Sequence, residues 1–326
     1  MLKGIKIIIL IIFLCFEIPL YQTQAQNTGI LNFYNNPVQA NPALTGAEGA
    51  GKLRLVYRDY YPGRSLNLHT ISCSYDTFVE KAHGGLGIYL SENLLGDILN
   101  DFRAGAAYSY HLRATRDFYI NAGFMASLIH RGMDAGNIVL PDQIDPLRGA
   151  VLPSVEVINS VSRTVFDAGI GFLFSYRNYH SGISASHIFR PDLVGNGLEE
   201  SRMGRRISVH GGAELYPGTD RLSIYPAFLF SMQDNFIMSA IGVAVAYNNI
   251  SMNLLPFFEP ATGLSFVQTG LHFKAGRVEL GYNYNFNPLT AGHMQPFTLS
   301  NQVYIAIGLN NVEKRDVIKA ILFPKL

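Results

Sequence analysis

The side chains able to do chemistry in this sequence are scattered, and their spacing assembles no reaction centre. The nine histidines are His69, His83, His111, His130, His180, His187, His210, His272 and His293. None stands in an HxH or HxxxH pair, so no local zinc motif exists, and lumen or loop positions are expected for them. Gly84-Gly85-Leu86-Gly87 lacks the Lys-Ser/Thr ending of a phosphate loop and reads as strand curvature. Asp134, Asp142 and Asp145 lack the Gly and Glu placement of a calcium loop. The Ser, His and Asp that a hydrolase at a barrel rim would need are all present, but nothing brings them together. No catalytic residue, cofactor or metal site is therefore expected. What remains is a set of charges, Arg103, His111, Arg113, Asp167 and Glu214, which strand alternation turns toward an interior. Their expected role is a solvated or paired charge network, with a substrate path as the weaker alternative.

Positioning those charges falls to segments such as residues 164–191, two strands joined by a tight turn at Arg177-Asn178. In the first strand Phe166, Ala168, Ile170, Phe172, Phe174 and Tyr176 share one face. Val165, Asp167, Gly169, Gly171, Leu173 and Ser175 share the other. In a soluble strand the apolar face covers a core. Here the pattern recurs through most of the chain, while charged residues make up only 15%, against ~25% in a typical soluble domain. Hydrophobic residues make up 48%, yet no stretch after the amino-terminal segment is long and apolar enough for a membrane helix. The pattern predicts inversion, with the apolar face to lipid and the small polar face inward. The expected fold is all-β, a transmembrane antiparallel β-barrel of about 14 strands with an N-terminal leader or plug. A soluble β-sandwich or propeller is the alternative.

Strand-like segments begin near Leu53, Asn67, Gly85, Asp101, Phe118, Thr164, Tyr179, Arg206, Arg221, Phe236, Ile250, Gly263, Arg277 and Phe297. In the last of these Asn301 interrupts an apolar face of Phe297, Leu299, Val303, Ile305 and Ile307. Pro226 and Pro256 fall inside strands, where each removes a ladder donor. Inward glycines, among them Gly105, Gly123, Gly169 and Gly171, suit a sheet that must bend to close. With a periplasmic start, the connections at 114–116, 177–178, 217–220, 248–249 and 275–276 face the periplasm and are short. The longest, 131–163, 189–205 and 287–295, all face outside, with the tight 233–235 turn an outward exception. A soluble fold has no reason to sort loop lengths this way, whereas bacterial barrels do. The chain has no Trp, so interfacial girdles are expected from its 18 Tyr and 21 Phe. Tyr57, Tyr60, Tyr61, Tyr108, Tyr110, Tyr119, Tyr176 and Tyr179 lie near strand ends.

Residues 1–25 read as a signal peptide, with Lys3 and Lys6, an apolar run over 7–16, and Thr23-Gln24-Ala25 before the cut. The run is shorter than the ~20 residues of a spanning helix. Bulky Ile12-Phe13-Leu14 do not suit lipid attachment at Cys15. Without Lys3, Lys6 and Glu17 the acidic and basic residues balance, which argues against a nucleic-acid partner. Cys73 is then the single cysteine, so no internal disulfide forms. The expected organisation is signal peptide 1–25, leader or plug 26–51, barrel 52–309 and periplasmic tail 310–326, in a multi-pass protein of the outer membrane surrounded by its lipid. In the tail, Val312, Val317, Ile318, Ile321 and Leu322 alternate with basic residues. They read as a short amphipathic helix for docking a periplasmic partner, or as a frayed terminus.

Residues 35–51 are too turn-rich for a wall strand and are expected to enter or plug the barrel from below. Their Asn-Pro-Ala is similar to the amino-terminal hatch of FadL-like hydrophobic-compound channels. A more complete resemblance starts at Asn41-Pro42-Ala43-Leu44-Thr45-Gly46 and Tyr57-Arg58. It continues through Gly84-Gly85-Leu86-Gly87, Ala106-Ala107-Tyr108-Ser109-Tyr110 and Phe166-Asp167-Ala168-Gly169-Ile170-Gly171. Tyr179-His180-Ser181-Gly182-Ile183-Ser184, His187, Pro191 and Leu299-Ser300-Asn301-Gln302 complete it. In this order the pieces resemble the PorP/SprF family, outer-membrane proteins tied to the type IX secretion system and gliding motility of Bacteroidetes. Two departures are Arg58-Asp59-Tyr60-Tyr61, where the family tends to Arg-x-Gln-Trp, and the run of residues 310–326 past a closing strand.

The resemblance implies a non-enzymatic role in export, or in holding secreted cargo at the surface. It also implies partners: the carboxy-terminal domains of cargo and periplasmic components of the secretion apparatus. A FadL-like channel for hydrophobic small molecules is the alternative, and it calls for an apolar lumen pocket with a lateral opening.

Overall fold

The structure is a computed structural model that describes residues 35–63, 67–96, 98–134, 136, 141–145, 148–150, 160–195, 197–217, 221–260, 263–288 and 299–309. The expected signal peptide, leader residues 26–34, the expected tail, His293 and the Phe297 strand start lie outside the described residues.

Fourteen strands make the wall. They are β1 (Lys52–Tyr60), β2 (Leu68–Val79), β3 (Gly84–Leu95), β4 (Leu99–Arg113), β5 (Phe118–Met133), β8 (Val161–Tyr176) and β9 (Tyr179–Ser186). They continue as β10 (Arg206–Ala213), β11 (Leu222–Gln233), β12 (Phe236–Tyr247), β13 (Ile250–Glu259), β14 (Gly263–Ala275), β15 (Val278–Phe286) and β16 (Ser300–Gly308). A two-stranded hairpin, β6 (Ile144–Asp145) with β7 (Gly149–Ala150), lies in the connection between β5 and β8. Each wall strand pairs antiparallel with its sequence neighbours, and β1 closes on β16 from Lys52↔Gly308 to Tyr60↔Ser300. The closed meander leaves no open side to the sheet, which is what lets strands cross a bilayer. One end carries the tight turns 177–178, 248–249 and 276–277; the other carries the long connections 134–160, 187–205 and 287–299.

Burial is inverted relative to a soluble protein. Ile241, Met252, Ile88, Phe124 and Leu128 point outward and are more than half exposed, while Arg58, Asp76, Asp167, His210 and Gln302 are nearly inaccessible. In β8 the outer row Phe166, Ile170, Phe172, Phe174 and Tyr176 is exposed, and the inner row Asp167, Gly169, Gly171, Leu173 and Ser175 is buried. An apolar surface this continuous is stable only against lipid. Ile241→Arg, at the middle of β12, is therefore expected to destabilise the membrane-inserted barrel by about 2–4 kcal/mol. Denaturant unfolding in phospholipid vesicles measures this, and an unchanged midpoint would contradict a lipid-facing Ile241.

The irregular residues have local explanations. The β10–β11 pairing lapses between Gly212↔Ala227 and the bridge Leu215↔Ile224, where Pro226 has no N–H to donate. Pro256 lies where the β12–β13 ladder lapses between Ala240↔Phe257 and Val243↔Leu254. A register shift follows at Phe257/Phe258. Asn301 sits on the outer face and accepts a hydrogen bond from the Tyr282 hydroxyl at 2.9 Å, so its polar end is satisfied at the lipid side. Among the tyrosines expected in girdles, Tyr57, Tyr110, Tyr176 and Tyr179 are exposed, but Tyr60 is buried inside. It falls on the inner row of β1, beside Arg58.

The lumen is filled and two-sided. Along β11 to β14 it holds an apolar cluster, Leu229, Met238, Ala244, Leu255, Phe257 and Phe266, with the two Phe rings stacked at 4.4 Å, beside buried Asn253, Glu259, Gln268 and His272. The opposite half carries buried polar and charged side chains from β1 to β5 and β8 to β10.

Candidate functional site: the plug and its seat

The described part of the leader, from Asn35, lies inside the barrel. From Asn35 to Ala47 nearly every residue is buried, and Val38, Asn41, Ala43 and Thr45 have no exposed surface. Two Asn-Pro steps shape it. Pro37 opens the short helix α1 (Pro37–Ala40), and Pro42 opens the single 3-10 turn Pro42–Leu44. Proline suits a first helical position, where its missing N–H has no partner to lose. The Asn41 side chain caps the second turn, its Oδ1 accepting the Ala43 N–H at 2.9 Å.

The other end of Asn41 reaches the wall. Its Nδ2 lies 3.3 Å from the Phe172 carbonyl, 3.5 Å from that of Ile183 and 3.0 Å from Nε2 of His210. Ser184 Oγ donates to the Ala40 carbonyl at 3.1 Å. Ser109 Oγ and Asn121 Nδ2 both donate to the Ala43 carbonyl, at 3.1 and 3.3 Å. His111 Nε2 sits 3.1 Å from the Thr45 carbonyl, an acceptor, so that nitrogen carries the proton. The main-chain polar groups of a buried loop are thus paired with side chains from β4, β5 and β9.

Glycines make the room. A Cβ at Gly85 would overlap the Thr45 carbonyl, one at Gly123 the Pro42 carbonyl, and one at Gly171 the Asn41 side chain. A Cβ at Gly87 would lie 2.8 Å from Thr45 Cγ2, and one at Gly182 2.9 Å from Asn41 Nδ2. The inward glycines therefore seat the plug as well as thin the wall. Gly105 instead clears the Tyr89 ring, and Gly169 faces nothing closer than 3.3 Å. On the plug, Gly46 has φ +69, and its N–H donates to Asp76 Oδ2 at 2.7 Å. A side chain there would be strained and would also meet the Gly85 Cα at 2.6 Å.

Charge fixes the plug's exit. Asp76 and Glu48 both pair with Arg54, and Lys52 bridges Glu48 at 3.0 Å and Glu279 at 3.3 Å. Burial pushes the Glu48 carboxyl up, but Lys52 and Arg54 outweigh it and hold it down to about 2. Arg58 lies on the closing seam, its Nε donating to Gln302 Oε1 at 2.9 Å, while its neighbour Tyr57 points outward.

The structure brings Asn41, Pro42, Ala43, Gly46, Gly171, Gly182 and His111 together at the plug. Asp167 and His187 meet each other, Nδ1 to Oδ2 2.6 Å, in the charged half of the lumen near the buried Arg103. Pro191 is buried in the 187–205 connection, and Tyr179 lies outside on the wall. Arg113 is not an interior charge, whereas Glu214 is half-buried on the inward parity of β10. Arg113 is exposed at the short-turn rim, donating to the Arg116 carbonyl at 3.3 Å. Glu214 follows the end of β10 and accepts from the Tyr225 hydroxyl at 2.7 Å. At Arg113 the inward row has run past the end of the wall, whereas the pairing of β10 with β11 resumes beyond Glu214 at the bridge Leu215↔Ile224. Sequence reasoning assigns no plug contact to His210, Ser109, Asn121, Ser184 or Asp76; each is an ordinary inner-row polar residue until the plug is in place. Among the described residues no group of three or more His, Cys, Asp or Glu could hold a metal ion.

A family model described as type IX secretion system membrane protein PorP/SprF matches residues 22–301. This chain belongs to that family. The match covers the plug and the wall through the start of β16, so the PorP/SprF barrel described here includes both partners of the plug–seat contact. No curated protein matches the chain. Among solved structures it is similar to the toluene transporter TodX of P. putida, at 11% identity over 84% of this chain and 92% of that one, TM-score 0.47. A Pseudomonas aeruginosa FadL homologue is 10% identical over 88% and 98%, TM-score 0.43. Omp33 of Acinetobacter baumannii is 7% identical over 81% and 100%, TM-score 0.41. At these TM-scores none of the three informs the reading of this PorP/SprF chain.

Proposed function

We propose that this protein is a non-enzymatic, multi-pass outer-membrane barrel that serves the type IX secretion machinery by supporting export or surface anchoring of secreted cargo. The family match across plug and wall is the observation that carries this reading. The short-turn end faces the periplasm, where the plug's exit meets components of the apparatus, and the long connections 134–160 and 187–205 face outward toward cargo carboxy-terminal domains. A clean deletion in the native host tests it. Cargo released or retained wrongly is the expected result, and normal cargo placement would refute it. A FadL-like passive channel needs an open apolar path, whereas this lumen holds residues 35–47 of the leader and many buried charges.

The 187–205 connection is held in shape for such a contact. Asp192 accepts from the amides of Val194, Gly195 and Gly197 at 3.1, 2.7 and 3.0 Å and from Ser201 Oγ at 3.0 Å. The Gly195 amide is the largest influence; slight burial opposes it, the remaining donors reinforce it, and the carboxyl is held down to about 2. A carboxyl lowered on folding contributes its stabilisation above the ordinary value of 3.8 and loses it as pH falls through about 2. The Gly195 and Gly197 amide resonances are therefore expected to titrate together with a midpoint near 2. A midpoint near the ordinary carboxylate value would contradict this bonding.

A further inference from the structure

Around Arg103 and Arg206 the described residues carry more positive than negative charge. Arg103 and Arg206 are 7% and 6% exposed and point inward from β4 and β10. Two carboxylates stand near them. Asp101 is engaged by Arg131 at 2.6 Å and lies 4.0 Å from Arg103; Asp167 is engaged by His187 at 2.6 Å. Arg206 is in electrostatic reach of Arg103, Tyr89 and Asp167, and it makes no ion pair among the described residues. Arg103 Nε, Arg206 Nη1 and Asp167 Oδ1 are buried with no hydrogen-bond partner. Among these described residues, three guanidiniums thus stand with two carboxylates, and arginine does not shed its proton. A buried charge without a counter-charge is strongly unfavourable.

We infer that the lumen holds a monovalent, halide-sized anion between Arg103 and Arg206. The anion supplies the missing charge and accepts from the unpaired guanidinium N–H groups. Both arginines are more than nine-tenths buried, so only a small species reaches them. Tyr89, on β3, is hydrogen-bonded to Ser127 and stands within electrostatic reach of both arginines. Chloride and a small carboxylate share this chemistry and separate by size and geometry.

The test uses the full chain in detergent. Thermal unfolding is compared in chloride, formate and gluconate at equal ionic strength, for the native protein and for Arg206→Gln. Chloride is expected to raise the midpoint over gluconate by roughly 4 °C or more, saturably, and Arg206→Gln is expected to abolish the difference. A formate effect equal to or larger than that of chloride also supports the site and assigns it to a carboxylate. Crystals grown in bromide give a second readout independent of the variant's folding. An anomalous peak against Arg103 and Arg206 supports the site. Identical melting in all three salts with no such peak at saturating bromide would overturn it.

Discussion

Replacing Asp76 with alanine is expected to destabilise the folded barrel by about 3–5 kcal/mol. Asp76 is 1% exposed on β2, pairs with the equally buried Arg54 of β1, and accepts the Gly46 N–H of the plug. Its loss leaves the Arg54 guanidinium sharing the single carboxylate of Glu48 with Lys52, and leaves a buried plug amide without an acceptor. Each is a named route to a large effect, because the neighbouring groups stay buried when their partner is removed. Asp76→Asn keeps the volume and an acceptor for Gly46 and is expected to lose less. Urea unfolding in detergent gives both values. A near-native midpoint for Asp76→Ala would show that the plug's exit is not held by this network.

Gly123→Val is expected to unseat the plug. A Cβ at Gly123 overlaps the backbone of Pro42, and backbone cannot swing aside as a side chain can. Overpacking of this kind costs about 1–3 kcal/mol where the structure yields locally. Here the yielding part is the leader, whose Val38, Ala43 and Leu44 have essentially no exposed surface and would lose their burial together. Ion conductance in planar bilayers is expected to rise from the low level of a filled lumen in the native protein to that of an open pore in the variant. Gly132→Val on the same strand is the control, since nothing lies within 4 Å of its added Cβ. Equal conductance in all three proteins would argue that the leader does not occlude the barrel.

Most of the wall was legible before any coordinates, because a bilayer enforces one rule on every strand. The outward Phe166-to-Tyr176 row and the inward Asp167-to-Ser175 row follow from period two alone, and the loop lengths sort by end for the same topological reason. Plug contacts were not legible. Asn41 meets Phe172, Ile183 and His210 at sequence separations of 131, 142 and 169, and nothing local in the chain records such a meeting. The glycines show the same limit. Gly123 and Gly171 read as places where a sheet bends, yet the demand on them comes from another segment's backbone pressed against the wall. Alternation also failed at the ends of strands, where Arg113 keeps the inward parity but has left the barrel for solvent.

The account rests on the leader being packed inside the wall. Amide hydrogen exchange of the full chain in lipid nanodiscs tests this most directly. Peptides spanning residues 35–47 are expected to exchange as slowly as the β4, β5 and β8 peptides that hold them. Exchange of that segment within seconds, with the wall still protected, would contradict a seated plug.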